Sequence, residues 1–449
     1  MTLATTLSPY TERRARLLAQ MQARGGGVAI IPTAPEVMRN RDADYPYRHD
    51  SYFYYLSGFM EPDAVLVLIA GKQNRCILFC RDKDLDREIW DGYRHGPDAA
   101  RVEFGFDEAF PVAALNEKMP QLLADAPAVF YTLGLDNKRD IQLQDWLQGV
   151  RALGRSGVSA PASIHDVHVL LDEMRMFKDA GEIATMQRAA DISSAAHCRA
   201  MQLSRPGLRE YHLEAELLHE FRRNGSQYPA YGSIVAAGSN SCVLHYRAGD
   251  AELKDGDLVL IDAGCELDSY AADITRTFPV NGKFSGPQKE LYNIVLASQQ
   301  AAIALTRPGR GFMDGHDAAV RVLAQGMLDT GLLDRNKVGT LDDAIASDAY
   351  RQFYMHRTGH WLGMDVHDVG EYRAAPDASG AKPWRALQPG MVLTVEPGIY
   401  VRPAPGVPEQ YWNIGIRIED DAHVTPDGCE ILTQGVPNTV EGIEQLMRH

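Results

Sequence analysis

Two aspartates set at the ends of apolar, strand-forming runs constrain this chain more than any other feature. In GDLVLIDAGCELDSYAADITRTFPVNG, residues 256–282, Leu258, Val259, Leu260 and Ile261 form a continuous apolar run after a Gly-Asp turn. That is the pattern of a buried strand delivering Asp262 at its end. Asp273 follows a Gly-containing connection and leads into Ile274 to Phe278, whose β-branched and aromatic residues predict the returning partner strand. Both acids are thereby placed side by side at a sheet. Ionised carboxylates in such surroundings need a cation, a shared proton or water.

An aspartate after a strand is commonly a turn residue or a helix cap. Three further groups in equally apolar settings argue for more: His360 in TGHWLGMDVHD, Glu396 in MVLTVEPGIY and Glu419 in IGIRIEDD. Four carboxylates and one imidazole suit two divalent ions of the Mn, Fe, Co or Zn kind better than a thiolate zinc site. Their four negative charges would also balance two dications.

A chain of 449 residues is long enough for more than one core, and two domains are expected. The formal charge of −15 argues against nucleic-acid or anionic-membrane partners, which need clustered Lys and Arg. Cys76, Cys80, Cys198, Cys242, Cys265 and Cys429 are scattered, without a C-x-x-C pair, as in a reducing cytoplasm. Arg13, Arg14 and Arg16 interrupt any signal-peptide core, and no apolar run is long enough to span a bilayer. A cytoplasmic location is therefore expected.

In chain order, helical spacing over residues 11–24 stops at Gly25 to Gly27, and the strand-like VAIIP, AVLVLIA, CILFC and AVFYTLG alternate with helical patterns over 113–124 and 141–153. This predicts an α/β domain. The polar, aromatic-rich passage from Arg39 to Pro62 reads as a loop that packs its tyrosines on its own sheet or serves a subunit contact or active-site rim. Trp90, in REIWDGYRHG, reads as an exposed edge or a lid. Lys178 to Gly181 read as hinge-like punctuation between domains, ahead of helices over 182–201 and 208–224. Helices over 287–306 and 314–330 follow the two-acid strand pair. The order helix, helix, strand, histidine thus occurs twice, with His245 in the first round and His356 or His360 in the second, which predicts a site at the seam of two related halves.

Taken together, IDAGCELDSYAADITRTFPVNG, TGHWLGMDVHD, TVEPGIY and GIRIEDD, with potential ligands in the order Asp, Asp, His, Glu, Glu, resemble the M24 metallopeptidases of pita-bread fold. DYPYRHDSYFYYLSGFMEPDAVLVL and DEMRMFKDAGEI extend the resemblance, over both domains, to the aminopeptidase P group of that family.

The resemblance implies a mixed α/β (α+β) chain. Residues 1–174 would form a creatinase-like α/β domain, and 175–449 a pita-bread catalytic domain with a pseudo-twofold internal repeat. It implies two divalent ions bridged by Asp273 and Glu419, with Asp262 completing one and His360 and Glu396 the other. Manganese is the family's usual ion, though the ligands would accept cobalt, iron or zinc. The implied reaction releases the N-terminal residue from peptides with proline second, with hydroxide held between the ions as nucleophile. His367 would stabilise the oxyanion, His245 would contact the scissile amide, and Glu396 would serve as general base. His356, Tyr372 and Arg417 match the proline-pocket positions, Tyr231 is a further substrate-binding position, and Trp90 would approach the site from a neighbouring subunit of a tetramer or dimer. Asp42 and Arg155 would line its rim. A prolidase restricted to Xaa-Pro dipeptides uses the same ligands and stays open as an alternative. A catalytically inactive binding module predicts broken ligand positions, and all five are intact.

Overall fold

A computed structural model of the chain describes residues 8–247 and 249–448. It divides into two compact units, the first ending at Met174 and the second beginning at Arg175.

The first unit is built on a mixed six-stranded sheet in the order Glu108–Pro111, Arg75–Cys80, Val65–Ala70, Gly27–Pro32, Ala128–Phe130, Ser163–His165. Its apolar runs are buried on both faces, which is why they read as continuous rather than alternating. Val28, Ile30, Val65, Val67, Ile77 and Phe79 share one face and pack on Leu115, Met119 and Leu123 of helix Leu115–Leu123 and on Leu143, Trp146, Leu147 and Val150 of helix Asn137–Ala152. Each such side chain contributes about 1.5–3 kcal/mol when fully buried. Helices Ser8–Gln22 and Ser51–Ser57 also pack on this sheet.

Two expectations need correction. The passage from Arg39 to Pro62 is not simply a loop: it contains the short hairpin Met38–Asn40 with Ala43–Asp44 and the helix Ser51–Ser57. Asp50 caps that helix by accepting from the Phe53 N–H at 2.9 Å, and Phe53, Tyr55 and Leu56 are buried. Nor is Lys178 to Gly181 a hinge. Asp179 caps helix Ala180–Leu203 in a capping box with Glu182, and the Lys178 ammonium is buried against Asp368 at 2.9 Å.

The second unit repeats one arrangement. Helices Ala180–Leu203 and Glu210–Arg223 accompany an antiparallel sheet of Ile234–Ala237, Leu258–Asp262 and Thr275–Pro279; helices Gly286–Leu305 and Asp314–Asp329 accompany an antiparallel sheet of Val392–Val395, Asp420–Thr425 and Gly428–Ile431. Among the described residues one β-bridge, Thr275 with Glu419, links the two halves. The six cysteines are free thiols. Among the described residues no helix is long and apolar enough to cross a membrane.

Candidate active site

The strand pair opens the site. Leu258–Asp262 and Thr275–Pro279 run antiparallel with Asp262 opposite Thr275, and the Ala263 N–H donates to the Ile274 carbonyl at 3.0 Å. The connection folds back so tightly that a Cβ on Gly264 would lie 1.7 Å from the Ala272 carbonyl oxygen. Only glycine permits that approach, and it returns Asp273 beside Asp262. The second half supplies its groups by a similar close contact. A Cβ on Gly359 would lie 2.0 Å from the Thr394 carbonyl oxygen, and the neighbouring His360 exchanges hydrogen bonds with Thr394. Glu396 follows strand Val392–Val395, its N–H donating to the Thr358 carbonyl at 2.7 Å. Glu419 leaves strand Ile414–Arg417 at the bridge to Thr275.

All five expected ligands line one cavity of about 640 Å³, together with Tyr231, His245, His356, His367, Tyr372 and Arg417. Asp273, His360 and Glu419 offer ligand atoms within 4.8 Å of one another. The His360 Nε2 lies 3.5 Å from Asp273 Oδ2 and 3.7 Å from Glu396 Oε1. Its Nδ1–H donates to the Trp361 carbonyl at 3.0 Å, which aims Nε2 at the acids in the posture of a ligating imidazole. The Tyr231 hydroxyl reaches both Asp262 Oδ1, at 2.6 Å, and Asp273 Oδ1. Arg417 is 4% exposed and donates from Nη2 to Asp262 Oδ2 at 2.5 Å and from Nη1 to the Tyr400 hydroxyl at 3.0 Å. That hydroxyl also lies 2.8 Å from His356 Nε2.

The electrostatics fit a cation. Burial pushes the Glu419 carboxyl well above the usual range, and the charges of Asp273, Glu396 and Asp262 push it further. Burial likewise raises Asp273, and it lifts Glu396 to about 7 against the pull of His360 and Arg417. For His360, burial opposes protonation, yet contact with Asp273 and the charge of Glu396 raise it to about 9. Crowded, buried carboxyls thus retain protons that divalent cations would replace, and the oxygen-rich donor set with one imidazole suits such ions.

His367 stacks on His360 with ring centroids 3.8 Å apart. Burial lowers both His367 and His356 to about 4, so both are neutral at pH 7. Tyr372 and Trp361 stack at 5.5 Å, and Trp361 is fully buried. Trp90 is 83% exposed on helix Leu85–Asp91, while Asp42 and Arg155 are exposed residues of the first unit.

Several supporting residues carry no sequence signal of their own. Glu210, fully buried, accepts from the Ala237 N–H at 2.9 Å, Asn240 Nδ2 at 2.9 Å, the Tyr246 hydroxyl at 2.8 Å and the Gly249 N–H at 3.2 Å. It thereby anchors the loop that carries His245. Arg276, also fully buried, donates to the Glu419 carbonyl at 2.6 Å and to Asp420 Oδ1 at 2.7 Å. Asp421 Oδ2 accepts from the Asp273 N–H at 3.1 Å. Asp368, paired with Lys178 and with Arg175 Nη2 at 2.7 Å, fixes the segment next to His367.

Comparison with known proteins places this geometry in context. Residues 184–426 match metallopeptidase family M24, and residues 10–131 match the N-terminal domain of aminopeptidase P. The chain is 47% identical to the Xaa-Pro aminopeptidase of Escherichia coli over 98% of this chain and 97% of that protein. Its structure is similar to that of Pseudomonas aeruginosa aminopeptidase PepP, with a TM-score of 0.94 and 50% identity over 98% of each chain. It is also similar to an Escherichia coli aminopeptidase P variant in complex with substrate, with a TM-score of 0.93 and 46% identity over 98% of each chain.

Proposed function

The chain belongs to metallopeptidase family M24, and from that membership we propose that it is a proline-specific aminopeptidase, a hydrolase that removes the N-terminal residue from peptides with proline second. One observation carries this reading: four carboxylates and one imidazole from both halves of the second unit converge on a single cavity, in a chain that matches Xaa-Pro aminopeptidases along nearly its whole length. The catalytic apparatus falls in residues 175–449, behind an N-terminal domain of residues 1–174.

Asp262, Asp273, His360, Glu396 and Glu419 would hold two divalent ions, manganese foremost. When bound, such ions supply a Lewis acid and a water of lowered pKa. The remaining roles fall to the chain's own groups. Glu396 takes a proton at its carboxylate from the attacking water. His367, neutral through burial, donates a ring N–H to the oxyanion. His245 faces the scissile amide and guides the proton towards the leaving nitrogen.

The bond cleaved is a tertiary amide, so the amide presents no N–H to recognise, and selection for proline rests on ring shape and apolar contact. His356 and Tyr372 supply flat faces for that ring, with Arg417 and Tyr231 holding the adjoining wall. We assign Trp90 to the site of a neighbouring copy in a homo-dimer or tetramer, a role its 83% exposure leaves it available for. Asp42 and Arg155 belong to the same rim in this reading. Free thiols accord with a reducing, cytoplasmic setting.

Substrate length tests the reading. Xaa-Pro-Xaa tripeptides and longer peptides with proline second are expected to lose their first residue, while peptides with an acetylated N-terminus are not. Hydrolysis of Xaa-Pro dipeptides alone would instead identify a prolidase.

A further inference from the structure

The cavity contains three arginines, and they differ in what they hold. Arg417 is buried and engaged by Asp262 and Tyr400. Arg247 and Arg357 are exposed, and neither forms an ion pair with an acid among the described residues. Arg357 directly follows His356, and its guanidinium carbon lies 5.7 Å from the ring centroid of Trp384. Trp384 is itself tied to the Tyr372 side of the cavity: it pairs with Arg373, and the next N–H, of Arg385, donates to the Tyr372 carbonyl at 2.9 Å. Arg357 therefore stands beside the two side chains assigned to proline, His356 and Tyr372.

Asp262, Asp273, Glu396 and Glu419 lie in one part of the cavity, where bound cations would balance their charge, whereas the Arg357 part carries a planar cation with no acid paired to it among the described residues. A peptide whose proline lies on the wall of His356 and Tyr372 brings the carboxylate of its following residue towards that guanidinium, and the positive charge favours a carboxylate there. The guanidinium fork matches a carboxylate in two parallel hydrogen bonds, and an aromatic ring beneath it limits the freedom lost on binding.

We propose that Arg357 is a specificity-determining residue that binds the free α-carboxylate of the residue following proline, so that unblocked Xaa-Pro-Xaa tripeptides are the preferred substrates. The proposal rests on proline occupying the wall formed by His356 and Tyr372. It predicts that affinity depends on a charge at the peptide's C-terminus, and that this dependence weakens as salt screens the pair.

The test compares alanyl-prolyl-alanine with its C-terminal amide, on the metal-loaded enzyme, for the wild type, Arg357→Gln and Arg357→Lys. The wild type is expected to favour the acid by roughly fivefold or more in kcat/KM, expressed mainly in KM and shrinking at high salt. Arg357→Gln is expected to bring the acid-to-amide ratio close to one, and Arg357→Lys to recover part of it. Equal use of acid and amide by the wild type, or an undiminished ratio in Arg357→Gln, would overturn the assignment while leaving the aminopeptidase reading intact. Turnover of neither peptide would instead remove the aminopeptidase reading and this assignment with it.

Discussion

Thr275 Oγ1 donates a 2.6 Å hydrogen bond to Glu419 Oε2, across the bridge between the two halves. Arg417 Nε donates to the same hydroxyl at 3.1 Å. The hydroxyl thus accepts from Arg417 while its own proton serves the ionised, ligand form of Glu419. One oxygen of a buried carboxylate is thereby oriented before any ion arrives.

Thr275→Val keeps the side-chain shape and removes that donor. It is expected to lower divalent-metal affinity by roughly 10- to 100-fold, the usual cost of losing an outer partner of a ligand. Competition against a metal-binding dye reads this directly. An unchanged affinity would mean that Glu419 is held well enough by its backbone alone.

His367 makes a different prediction, because it stacks on the expected ligand His360 without replacing it. His367→Ala should retain bound metal while kcat falls by roughly 10²-fold or more, the scale of losing one oxyanion donor. Elemental analysis alongside steady-state kinetics separates the two effects. Loss of the metal in step with activity would assign His367 to holding His360 in place instead.

His197 sets an acid limit on folding. It is fully buried, its Nε2–H donates to the Ala263 carbonyl at 2.9 Å, and its Nδ1 has no partner among the described residues. Burial lowers its pKa from 6.5 to about 4. The unfolded chain therefore binds this proton first. The contribution is fully present above pH 6.5 and is lost as pH falls towards 4, on the order of 2–3 kcal/mol across that window. Urea midpoints measured through this range should decline, and His197→Asn should flatten the decline. An equal slope in the variant would assign the acid sensitivity to other groups.

How much of this was legible beforehand depended on what each residue type signals. Asp262 and Glu396 were readable because an acid that ends an apolar strand is conspicuous, and the five potential ligands occur in a recognisable order. Thr275 was not, since threonine is an ordinary strand residue and its hydroxyl acquires meaning only from Arg417 and Glu419 across the seam. Glu210 is the first residue of helix Glu210–Arg223, and nothing local predicts that it gathers the Ala237 N–H and three donors from the loop carrying His245. Helix Ser51–Ser57 was hidden by its polar surroundings: its buried face is only Phe53, Tyr55 and Leu56 with two serines, too short for a clear period. The punctuation at Lys178 to Gly181 misled for a related reason. Asp179 three residues before Glu182 is a capping box, and the glycine between them lies in the first helical turn rather than in a hinge.

The central claim is that these carboxylates and His360 hold the cations on which cleavage depends. It is tested most directly by stripping the purified protein of metal with a chelator, returning Mn²⁺ in increments, and following bound metal per chain together with hydrolysis of a Xaa-Pro-Xaa peptide. Activity should vanish on stripping and return as binding approaches two ions per chain, with neither binding nor activity recovered in Asp262→Ala or Glu419→Ala. Full activity in the metal-stripped protein, or in either variant, would contradict the account.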